Sequence, residues 1–497
     1  MAHTLSKSRF QKGLQCERAL WLGVHARELA TPVSETTQWV FDQGTEVGRL
    51  AQQLFGGGVE VAEDYRHQAE ALMSTERLIA EGARVLYEPA FAHGGAFARV
   101  DILVAAGDGG WDLYEVKSSS TLKPEHITDA AVQAWTVEGA GLAVRRIHVV
   151  HLNKTYVWPG GEYDLGELFT IEDVTREARE FMPSVPATLA RLRAMLQGPE
   201  PAVTIGRHCE APYACDYVAY CRRELPACNP VTELPALSDE LLHALLAAGI
   251  TCIADVPPDF PGLSLKQRDA VALVRSGEPR VDTTGLASEL AALEWPVYHL
   301  DFETVAPALP LWAGTHPYQI IPFQYSVHVH RQDGSTEHRE YLHAGTDDPR
   351  RPLAERLLAD LGESGSVLHY SVYELTQLRN LAAALTDLTP ALEAVMGRLV
   401  DLLPIIKNHT RHPASAASAS IKYVLPAWCP DLSYADLEIA DGQTASVRYL
   451  RLLRGEMRGA EAETVRAELT RYCGLDTLAM VRLLEEMVRL SRGEAGA

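Results

Sequence analysis

The sequence predicts an α/β protein built from several domains. A chain of 497 residues exceeds the usual length of about 100–200 residues for one domain. Its composition, 47% hydrophobic and 22% charged, is that of a globular protein. Strand and helix patterns alternate in two stretches, and a proline-bearing run, ELPACNPVTELPAL, separates them. We therefore expect three domains, at residues 1–228, 229–289 and 290–497.

The first domain begins with helical patterns and continues with strands. The helical patterns are SKSRFQKGLQCERALWLG and TQWVFDQGTEVGRLAQQLF. Apolar runs with period two then predict strands near 84–91, 97–104 and 111–117. A helix near 126–139 and a strand at 146–151 complete the mixed α/β pattern.

The middle domain is predicted to be a small helical unit. LSDELLHALLAAGITCIADVP indicates a helix, a tight turn at Gly249-Ile250 and the start of a second helix, and LSLKQRDAVALVRSG indicates a further helix ending at Gly277. Such a helix-hairpin-helix turn would present backbone N–H groups to a nucleic-acid phosphate. A plain helical linker is an equally good interpretation.

The third domain opens with a second strand-rich pattern. VYHLDFE and FQYSVHVH predict two strands, and a turn at Asp333-Gly334 leads to a third strand, EHREYLH. The helix PLAERLLADL and the strand SVLHYS follow, and the remainder is mostly helical in pattern. The alanine- and serine-rich run 414–420 predicts a mobile loop.

Composition and the absence of certain patterns narrow the function. A net charge of −21 argues against nonspecific coating of nucleic acid. No uncharged apolar run reaches the roughly 18 residues of a membrane span, and the N-terminus lacks the apolar core of a signal peptide. We expect a cytoplasmic protein with no membrane partner. The sequence contains no P-loop, so any helicase would be a separate protein.

An acidic protein can still carry a local basic groove. The candidates for that groove are four residues of the first domain: Lys117, Lys123, Arg145 and Arg146.

A first group of charged residues lies on a predicted hairpin. Asp101 stands in ARVDILV, Glu115 and Lys117 stand in DLYEVKS, and AAGDGG connects them. Pairing about this turn places Asp101 opposite Glu115, and Glu115 and Lys117 share a face. Two carboxylates suit a hard divalent cation, and an ammonium can position the attacking water. A hairpin with a solvated charged face is the structural alternative.

With Gln133 on the helix that follows, this array resembles the RecB-like branch of the PD-(D/E)xK nuclease superfamily. The resemblance implies a restriction-endonuclease-like core. Asp101 would be the motif II aspartate, Glu115 and Lys117 the motif III E-x-K, and Gln133 the motif IV glutamine. Asp101 and Glu115 would then bind Mg²⁺ or Mn²⁺.

One position departs from this branch. Its members usually carry a G-x-x-x-H helix whose histidine is a further metal ligand, whereas Gly48 stands at the histidine position here. Glu46 is a candidate substitute.

The cysteines predict a metal centre in the first domain. Cys209, Cys215 and Cys221 are evenly spaced in HCEAPYACDYVAYC, and Cys16 lies near the N-terminus. In a cytoplasmic protein such a set indicates metal ligation rather than disulfides. Three other cysteines have no partner by spacing and are predicted to be core residues: Cys252, Cys429 and Cys473.

The four-cysteine pattern resembles the iron–sulfur nucleases of the RecB-like branch. The resemblance implies that the four thiolates hold a 4Fe-4S cluster. The branch usually spaces the first pair C-x-x-C, whereas this chain has C-x5-C-x5-C. Zn²⁺, with His208 or Cys228 as a further ligand, stays an alternative, as do buried free thiols.

A second group of carboxylates lies in the third domain. Asp301 and Glu303 alternate on a predicted strand, so they point to the same side. Tyr472 and Asp476 are four residues apart in a helical pattern and share a face. This arrangement suits a two-metal phosphodiesterase, in which the tyrosine hydroxyl orients the water. Surface acids on a strand and on an amphipathic helix are the alternative.

This second group resembles the DEDDy type of the DEDD exonuclease superfamily, which has an RNase H-like fold. Asp301 and Glu303 would match motif Exo I, and Tyr472 and Asp476 motif Exo III. Glu374 would replace the Exo II aspartate, so that the implied metal ligands are Asp301, Glu303, Glu374 and Asp476.

The segments SASIKYVLP and DGQTASVRYL add a further resemblance, to a bacterial family of unknown function that is fused to RecB-like nucleases. This resemblance covers nearly the whole chain. A nearby acid in RLVDLLPI, Asp401, is predicted to be structural.

Together the resemblances imply a metal-dependent nuclease that hydrolyses phosphodiester bonds. A DNA exonuclease in repair, recombination or defence is favoured, because the RecB-like branch acts mostly on DNA. An RNA-trimming 3′–5′ exonuclease is one alternative. A nucleic-acid-binding scaffold with one or both sites degenerate is another, and Gly48 and Glu374 favour it.

Overall fold

The computed structural model of the chain is an α/β protein with several sheets, which confirms the predicted α/β multidomain class. It describes residues 4–64, 66–107, 109–223, 225–227, 229–434 and 437–494. Within these residues, no helix combines the length and the apolarity needed to cross a membrane.

Contacts between residues divide the chain into two compact units. Unit 1 comprises Met1–Arg223 and Pro307–Gln319, and unit 2 comprises Glu224–Ala306 and Ile320–Ala497. The predicted helical domain, residues 229–289, lies within unit 2.

The described residues of unit 1 form nine strands and nine α-helices. The strands are β1 (Leu5–Ser6), β2 (Val59–Glu60), β3 (Val85–Tyr87), β4 (Ala90–His93), β5 (Ala96–Arg99), β6 (Ile102–Ala105), β7 (Trp111–Lys117), β8 (Val144–Leu152) and β9 (Phe169–Asp173). The helices are α1 (Lys7–Gln15), α2 (Glu17–His25), α3 (Glu35–Gln52), α4 (Gln68–Ala80), α5 (Pro124–Gly139), α6 (Leu165–Leu168), α7 (Thr175–Phe181), α8 (Val185–Met195) and α9 (Val218–Arg222). Single turns of 3-10 helix occur at Arg27–Leu29, Met182–Ser184 and Arg207–Cys209.

The strands of unit 1 form a six-stranded sheet in the order β2-β3-β6-β7-β8-β9 and a three-stranded sheet in the order β1-β5-β4. β7 and β8 are parallel, and α5 is the crossover that connects them. The alanine-rich face of α5 (Ala130, Ala131 and Ala134) packs against Leu113 and Ile147 of these strands. Burial of this face holds α5 against β7, which carries two of the predicted site residues.

The hairpin before β7 bends from one sheet into the other. The predicted strands 84–91 and 97–104 are each divided in two, because Glu88 has a positive φ of 55° and Pro89 has no N–H to donate. The hairpin nevertheless continues through Glu88 N–H to Asp101 O (3.1 Å) and Val100 N–H to Pro89 O (3.0 Å). Asp101 therefore lies at the corner between the sheets, and its predicted place inside a strand was wrong.

Residues 307–319 form a segment of unit 1 although the residues before and after them in sequence belong to unit 2. The backbone of this segment exchanges hydrogen bonds with Trp158: Trp158 N to Thr315 O (2.8 Å) and Gly314 N to Trp158 O (2.7 Å). Tyr163 also donates its hydroxyl to Pro310 O at 2.8 Å. Ala308 and Leu309 are buried in an apolar cluster with Tyr156, Leu168 and Phe169.

Seven strands and ten α-helices lie in the part of unit 2 that the structure describes. The strands are β10 (Arg280–Val281), β11 (Val297–Val305), β12 (Ile321–His330), β13 (Thr336–Leu342), β14 (Val367–His369), β15 (Leu399–Asp401) and β16 (Thr410–Arg411). The helices are α10 (Asp239–Ala247), α11 (Leu265–Ser276), α12 (Thr283–Ala291), α13 (Arg350–Leu361), α14 (Tyr373–Ala384), α15 (Thr389–Met396), α16 (Leu402–His409), α17 (Ile421–Trp428), α18 (Gly442–Leu453) and α19 (Ala460–Ser491). Single turns of 3-10 helix occur at Val231–Glu233, Ile253–Asp255 and Pro413–Ser415.

The main sheet of unit 2 has the order β13-β12-β11-β14-β15. β11 pairs antiparallel with β12 and parallel with β14, so it is the central strand. The long helix α19 packs on β11 and β12, and its apolar stripe, including Met480, Leu483 and Met487, is buried in the core. The central strand and α19 thus meet along the face that carries the second group of predicted site residues.

One prediction for unit 2, the second helix after Gly249-Ile250, was wrong, and two others differ from the structure in detail. The second helix predicted after Gly249-Ile250 is only a 3-10 turn, and the next α-helix begins at Leu265. The N–H groups of Gly249 and Ile250 donate to the Leu246 and Leu245 carbonyls, both at 3.0 Å, so they cannot also bind a phosphate.

The other two differences lie further along the chain. A short strand, β15, occurs where helix was predicted, because these residues pair with β14. The run 414–420, predicted as a loop, begins in a 3-10 turn.

Candidate functional site

Unit 1 brings the first predicted group together, and we call this group site 1. It consists of Lys7, Asp101, Glu115, Lys117, Asp129 and Gln133. β7 carries Glu115 and Lys117, α5 carries Asp129 and Gln133, and α1 carries Lys7. Asp101 is fixed beside β7 because its Oδ2 accepts a hydrogen bond from Val116 N at 2.6 Å.

Glu115 is the centre of site 1, with only 1% of its surface exposed. Its Oε1 accepts from Lys7 Nζ at 2.8 Å and from Lys117 Nζ at 2.7 Å, and its Oε2 accepts from Gln133 Nε2 at 2.6 Å. Burial works to raise the pKa of Glu115, but the Lys117 and Lys7 ammoniums hold that pKa well below its usual value. Glu115 is therefore ionised and fully paired.

Sequence reasoning missed Lys7, whose ammonium stands among three carboxylates. Its Nζ lies 3.9 Å from Asp101 Oδ1 and 3.9 Å from Asp129 Oδ2, in addition to its bond with Glu115. Burial works to lower the pKa of Lys7, but these carboxylates hold it well above its usual value. Nothing in the sequence pattern connects Lys7 with residues more than 90 positions away.

Sequence reasoning also missed Asp129, although a signal for it existed. Asp129 and Gln133 are four residues apart on α5, so they share a face. Asp129 Oδ2 accepts from Lys117 Nζ at 2.5 Å. Burial raises the pKa of Asp129 and, with the Glu115 charge, raises that of Asp101 well above its usual value.

Gln133 carries a buried polar atom of site 1, its Oε1, that has no hydrogen-bond partner among the described residues. This acceptor, together with the two carboxylates predicted as metal ligands, is compatible with a hydrated divalent ion. Such an ion would compete with the Lys7 ammonium for the same oxygens.

The other features expected around site 1 are the predicted substitute for the missing histidine and the predicted basic groove. Glu46 is exposed on α3, and a Cβ added at Gly48 would meet nothing within 4 Å. Of the predicted basic groove, Lys117 belongs to site 1, and Arg145 pairs with Asp112 at 3.0 and 2.6 Å. These two cations therefore each have a carboxylate partner within unit 1, and the predicted groove stays a prediction.

The four predicted cysteine ligands lie in one region of unit 1. Cys16 stands at the break between α1 and α2, where its thiol caps α2, and it packs with Cys215 around Ala19, Leu22 and Tyr217. Burial raises the pKa of Cys16, Cys215 and Cys221, and the proximity of Cys209 raises each of them further.

The four thiols do not form a tight group, and one of them lies beside a histidine. Cys209 Sγ lies 3.8 Å from His208 Nε2. In the part of the chain that the structure describes, no three of the four thiols lie within 4.8 Å of one another. Cys228, the other alternative ligand, lies outside the described residues.

Unit 2 brings the second predicted group together, and we call this group site 2. It consists of Asp301, Glu303, Glu374, Tyr434, Tyr472, Cys473 and Asp476. β11 carries Asp301 and Glu303, α14 carries Glu374, and α19 carries Tyr472, Cys473 and Asp476. The alternation of β11 and the four-residue spacing on α19 turn these side chains toward one another.

Site 2 offers ligand atoms at a spacing that suits a metal ion. One oxygen each of Asp301 and Glu303 and the Sγ of Cys473 all lie within 4.8 Å of one another. Cys473 Sγ is 3.7 Å from Asp301 Oδ2. The prediction that Cys473 is a core residue was incomplete, since it is fully buried but contacts the carboxylate directly.

The carboxylates of site 2 have almost no cationic partner. Among the described residues, no lysine or arginine nitrogen lies within 4.0 Å of Asp301, Glu303 or Asp476. The charge of Lys422 lowers the pKa of Glu303 and of Asp476, but its Nζ donates to Ala440 O at 2.9 Å rather than to either carboxylate. Burial and the neighbouring carboxylates raise the pKa of Asp301 and Glu303 well above their usual values, and burial raises the pKa of Asp476 to about 6.

Glu374 lies in the first turn of α14 and is only 2% exposed. Its Oε2 is 3.5 Å from His369 Nδ1 and has no hydrogen-bond partner among the described residues. Its charge raises the pKa of Asp301 and of Asp476, which places it in the same electrostatic group. An unpartnered buried carboxylate oxygen is a free ligand position.

Two tyrosines hold Asp476. Tyr434 donates its hydroxyl to Asp476 Oδ1 at 2.6 Å, and Tyr472 also bonds to this carboxylate. Burial raises the pKa of both tyrosines, so both hydroxyls stay protonated and act as donors. Sequence reasoning missed Tyr434, which lies in a segment with no periodic pattern.

Asp401, the nearby acid, caps α16. Its Oδ1 accepts from Ser371 N and from Leu403 N, both at 2.9 Å. Its carboxylate therefore has a structural task of its own at the edge of site 2.

Comparison with known proteins adds one finding. Residues 298–420 match the sequence profile of a family described as a domain of unknown function, DUF2779. The match includes Asp301, Glu303 and Glu374 and ends before Tyr472 and Asp476. No curated protein matches this sequence.

Proposed function

We propose that this protein is a metal-dependent nuclease whose main hydrolytic centre is site 2. One observation carries the proposal: two buried carboxylates, Glu303 and Glu374, and two half-buried ones, Asp301 and Asp476, come together on β11, α14 and α19. Among the described residues, no lysine or arginine nitrogen lies within 4.0 Å of Asp301, Glu303 or Asp476. Uncompensated buried carboxylates are costly, and a hard divalent ion with oxygen ligands removes that cost. The resemblance to the DEDDy exonucleases, with an RNase H-like fold, points to the same chemistry.

In this proposal Asp301, Glu303, Glu374 and Asp476 hold Mg²⁺ or Mn²⁺. The bound ions would supply an activated water and stabilise the attacking and leaving oxygens of the phosphodiester. Tyr434 fixes the orientation of Asp476 through its short hydrogen bond. Tyr472, whose hydroxyl is held protonated, orients the water.

We propose that unit 1 has the restriction-endonuclease-like core of the RecB-like branch, in which Asp101 and Glu115 are the metal ligands. Lys117 and Gln133 complete that site. The alternative, in which unit 1 is a nucleic-acid-binding scaffold, is favoured by one observation. The ammoniums of Lys7 and Lys117 already neutralise Glu115.

For the cysteine group we propose a 4Fe-4S cluster rather than Zn²⁺. Four thiolates around one zinc, at Zn–S distances of about 2.3 Å, would stand only about 3.8 Å apart. Among the described residues, no three of these thiols lie within 4.8 Å of one another, and the resemblance to the iron–sulfur nucleases of the RecB-like branch points to the cluster. Iron and acid-labile sulfide in anaerobically purified protein would support the proposal, and stoichiometric zinc without iron would contradict it.

The nuclease proposal is tested with end-labelled single- and double-stranded DNA and RNA in Mg²⁺ or Mn²⁺. We expect Asp301→Asn to lose about a hundredfold or more of the activity, because a metal ion supplies several kcal/mol of transition-state stabilisation. Lys117→Met is expected to retain activity. Asp333→Asn, which alters an exposed turn of the same unit, is the matched control.

The outcomes separate the alternatives. DNA is the favoured substrate class, and consumption of RNA with DNA spared would instead support an RNA-trimming exonuclease. Loss of activity in Lys117→Met but not in Asp301→Asn would move the hydrolytic centre to site 1. No degradation of any substrate by the unaltered protein would support the scaffold.

A further inference from the structure

Unit 2 contains a basic cleft that none of the motifs accounts for. The cleft has a volume of about 300 Å³ and is lined by Lys266 of α11, Lys407 of α16, Arg411 of β16, His412 and Trp428 of α17. No acidic side chain is among the described residues that line it. On a chain with a net charge of −21, a local concentration of cations attracts anions selectively.

The two lysines of the cleft are free to bind a ligand. Both are exposed, and among the described residues no carboxylate lies within 4.0 Å of either ammonium. Arg411 pairs with Asp269 at 2.9 Å, but Asp269 also accepts from Arg280 at 2.7 Å. One carboxylate therefore serves two guanidiniums, and the positive charge of the cleft is not cancelled.

The shape of the cleft suits a polymer backbone with attached rings. Part of its lining consists of small residues from the alanine- and serine-rich run, Ala416–Ala419, whose short side chains leave room for a ligand. Trp428 and His412 form an aromatic wall, with ring centroids 5.0 Å apart. Ammonium groups that bind phosphates beside aromatic faces that contact bases are the usual means of holding single-stranded nucleic acid.

The helix α17 borders the cleft and packs against α19, the helix that carries Tyr472 and Asp476. Val424 and Leu425 of α17 lie in one apolar cluster with Ala479 and Met480 of α19. Val424 and Trp428 of α17 line the cleft. Lys422, in its first turn, lowers the pKa of Glu303 and of Asp476 through its charge. A strand held in the cleft would therefore lie one helix away from the carboxylates.

We propose that this cleft binds the phosphodiester backbone of a single nucleic-acid strand and leads that strand to site 2. The identity of the strand as a substrate rests on the proposed nuclease function, whereas its binding does not.

Binding is measured by fluorescence anisotropy with labelled oligothymidylate and oligouridylate in EDTA, where no hydrolysis occurs. We expect the double variant Lys266→Gln/Lys407→Gln to bind at least about tenfold more weakly. The slope of log K against log salt should fall in magnitude by about 1.4, since each lost phosphate contact contributes about 0.7. Lys266→Arg/Lys407→Arg should bind normally, and Lys154→Gln, an exposed lysine of unit 1, is the matched control.

An unchanged affinity and an unchanged salt slope in the double Gln variant would overturn the proposal. So would binding to phosphatidylserine vesicles that is lost in this variant while oligonucleotide binding is kept. A protein that binds strands through the cleft but cleaves none would contradict the nuclease function and leave the cleft proposal intact. Failure of the cleft proposal can therefore be distinguished from failure of the nuclease proposal.

Discussion

Site 1 and site 2 both collect carboxylates from remote segments, yet they handle the negative charge in opposite ways. In site 1, Lys7 and Lys117 lie 2.5–2.8 Å from carboxylate oxygens of Glu115 and Asp129. In site 2, the described residues place no lysine or arginine nitrogen within 4.0 Å of Asp301, Glu303 or Asp476. Acidic residues at the right spacing are thus not sufficient to identify a metal site, since an internal ammonium can take the place of the ion.

The two sites should also differ in how the removal of one charge changes the free energy of unfolding. A buried ion pair loses several kcal/mol when one partner is removed, because the other charge stays behind unpaired. A buried cluster of like charges gains stability when one charge is removed. Site 1 should follow the first rule and site 2 the second, which makes single substitutions diagnostic.

The largest expected effect is that of Glu115→Ala. It leaves the ammoniums of Lys7 and Lys117 without their main partner, and we expect a loss of about 3–5 kcal/mol of unfolding free energy. Denaturant unfolding in EDTA measures it. Glu177→Ala, which removes an exposed partner of Arg176, should change little, and a similarly small effect of Glu115→Ala would refute the ion-paired description of site 1.

Asp476→Asn should have the opposite sign. Removing one of the repelling charges should stabilise the metal-free protein by about 1–2 kcal/mol. This is part of the roughly 3 kcal/mol that a pKa shift from 3.8 to about 6 represents at about 1.4 kcal/mol per unit, because the neutral amide is a weaker acceptor for the Tyr434 hydroxyl. With saturating Mg²⁺ the unaltered protein should be the more stable of the two. Ligand at 100 times its Kd stabilises a protein that binds it by about 2.7 kcal/mol, and the variant lacks one of the metal ligands. The control is Asp431→Asn, an exposed partner of Arg482, and destabilisation of the metal-free protein by Asp476→Asn would count against repulsion in site 2.

The pH dependence should differ between the sites as well. The pKa of Asp476 is raised from 3.8 to about 6 in the folded protein. Its contribution to stability is therefore fully present below pH 3.8 and is lost as the pH rises to about 6. Glu115, with its lowered pKa, should lose its contribution as the pH falls below its usual value of 4.5.

Metal-free unfolding between pH 4 and 7 tests this difference. The stability advantage of Asp476→Asn over the unaltered protein should grow up to about pH 6 and then stay constant. An advantage that does not vary with pH would mean that Asp476 does not titrate in this range.

The smallest expected effect is on metal binding at site 1. Lys7→Met frees the oxygens that its ammonium occupies, and we expect Mn²⁺ affinity at site 1 to rise about tenfold, equivalent to about 1.4 kcal/mol. Calorimetric titration in an Asp301→Asn background reduces the contribution of site 2. Lys12→Met, which removes an exposed pair with Asp216, is the control, and equal Mn²⁺ binding by both variants would show that Lys7 does not compete with the ion.

The site residues that were predicted correctly from the sequence are those whose relative positions follow from the period of a strand or a helix. Period two on β11 placed Asp301 beside Glu303, and the four-residue spacing on α19 placed Tyr472 beside Asp476. Hairpin symmetry likewise placed Asp101 opposite Glu115, which agrees with the register Ile102↔Tyr114. These are local rules, and they hold wherever the element itself is recognised correctly.

The remaining site residues depend on contacts between remote segments. Lys7 reaches Glu115 across 108 positions, and Tyr434 reaches Asp476 across 42. Neither lies in a pattern that indicates its partner. The bend at Glu88-Pro89 was missed for another reason, since an apolar run with period two looks continuous even where the backbone turns into a second sheet.

The 307–319 segment has a practical consequence for anyone who wishes to dissect this protein. A fragment that ends at Arg223 would lack Ala308 and Leu309 and would expose the apolar side chains that they cover. The Trp158 backbone would also lose both of its partners in the segment. Production of the N-terminal half alone therefore calls for these thirteen amino acids to be restored, by a grafted loop or by a synthetic peptide added in trans.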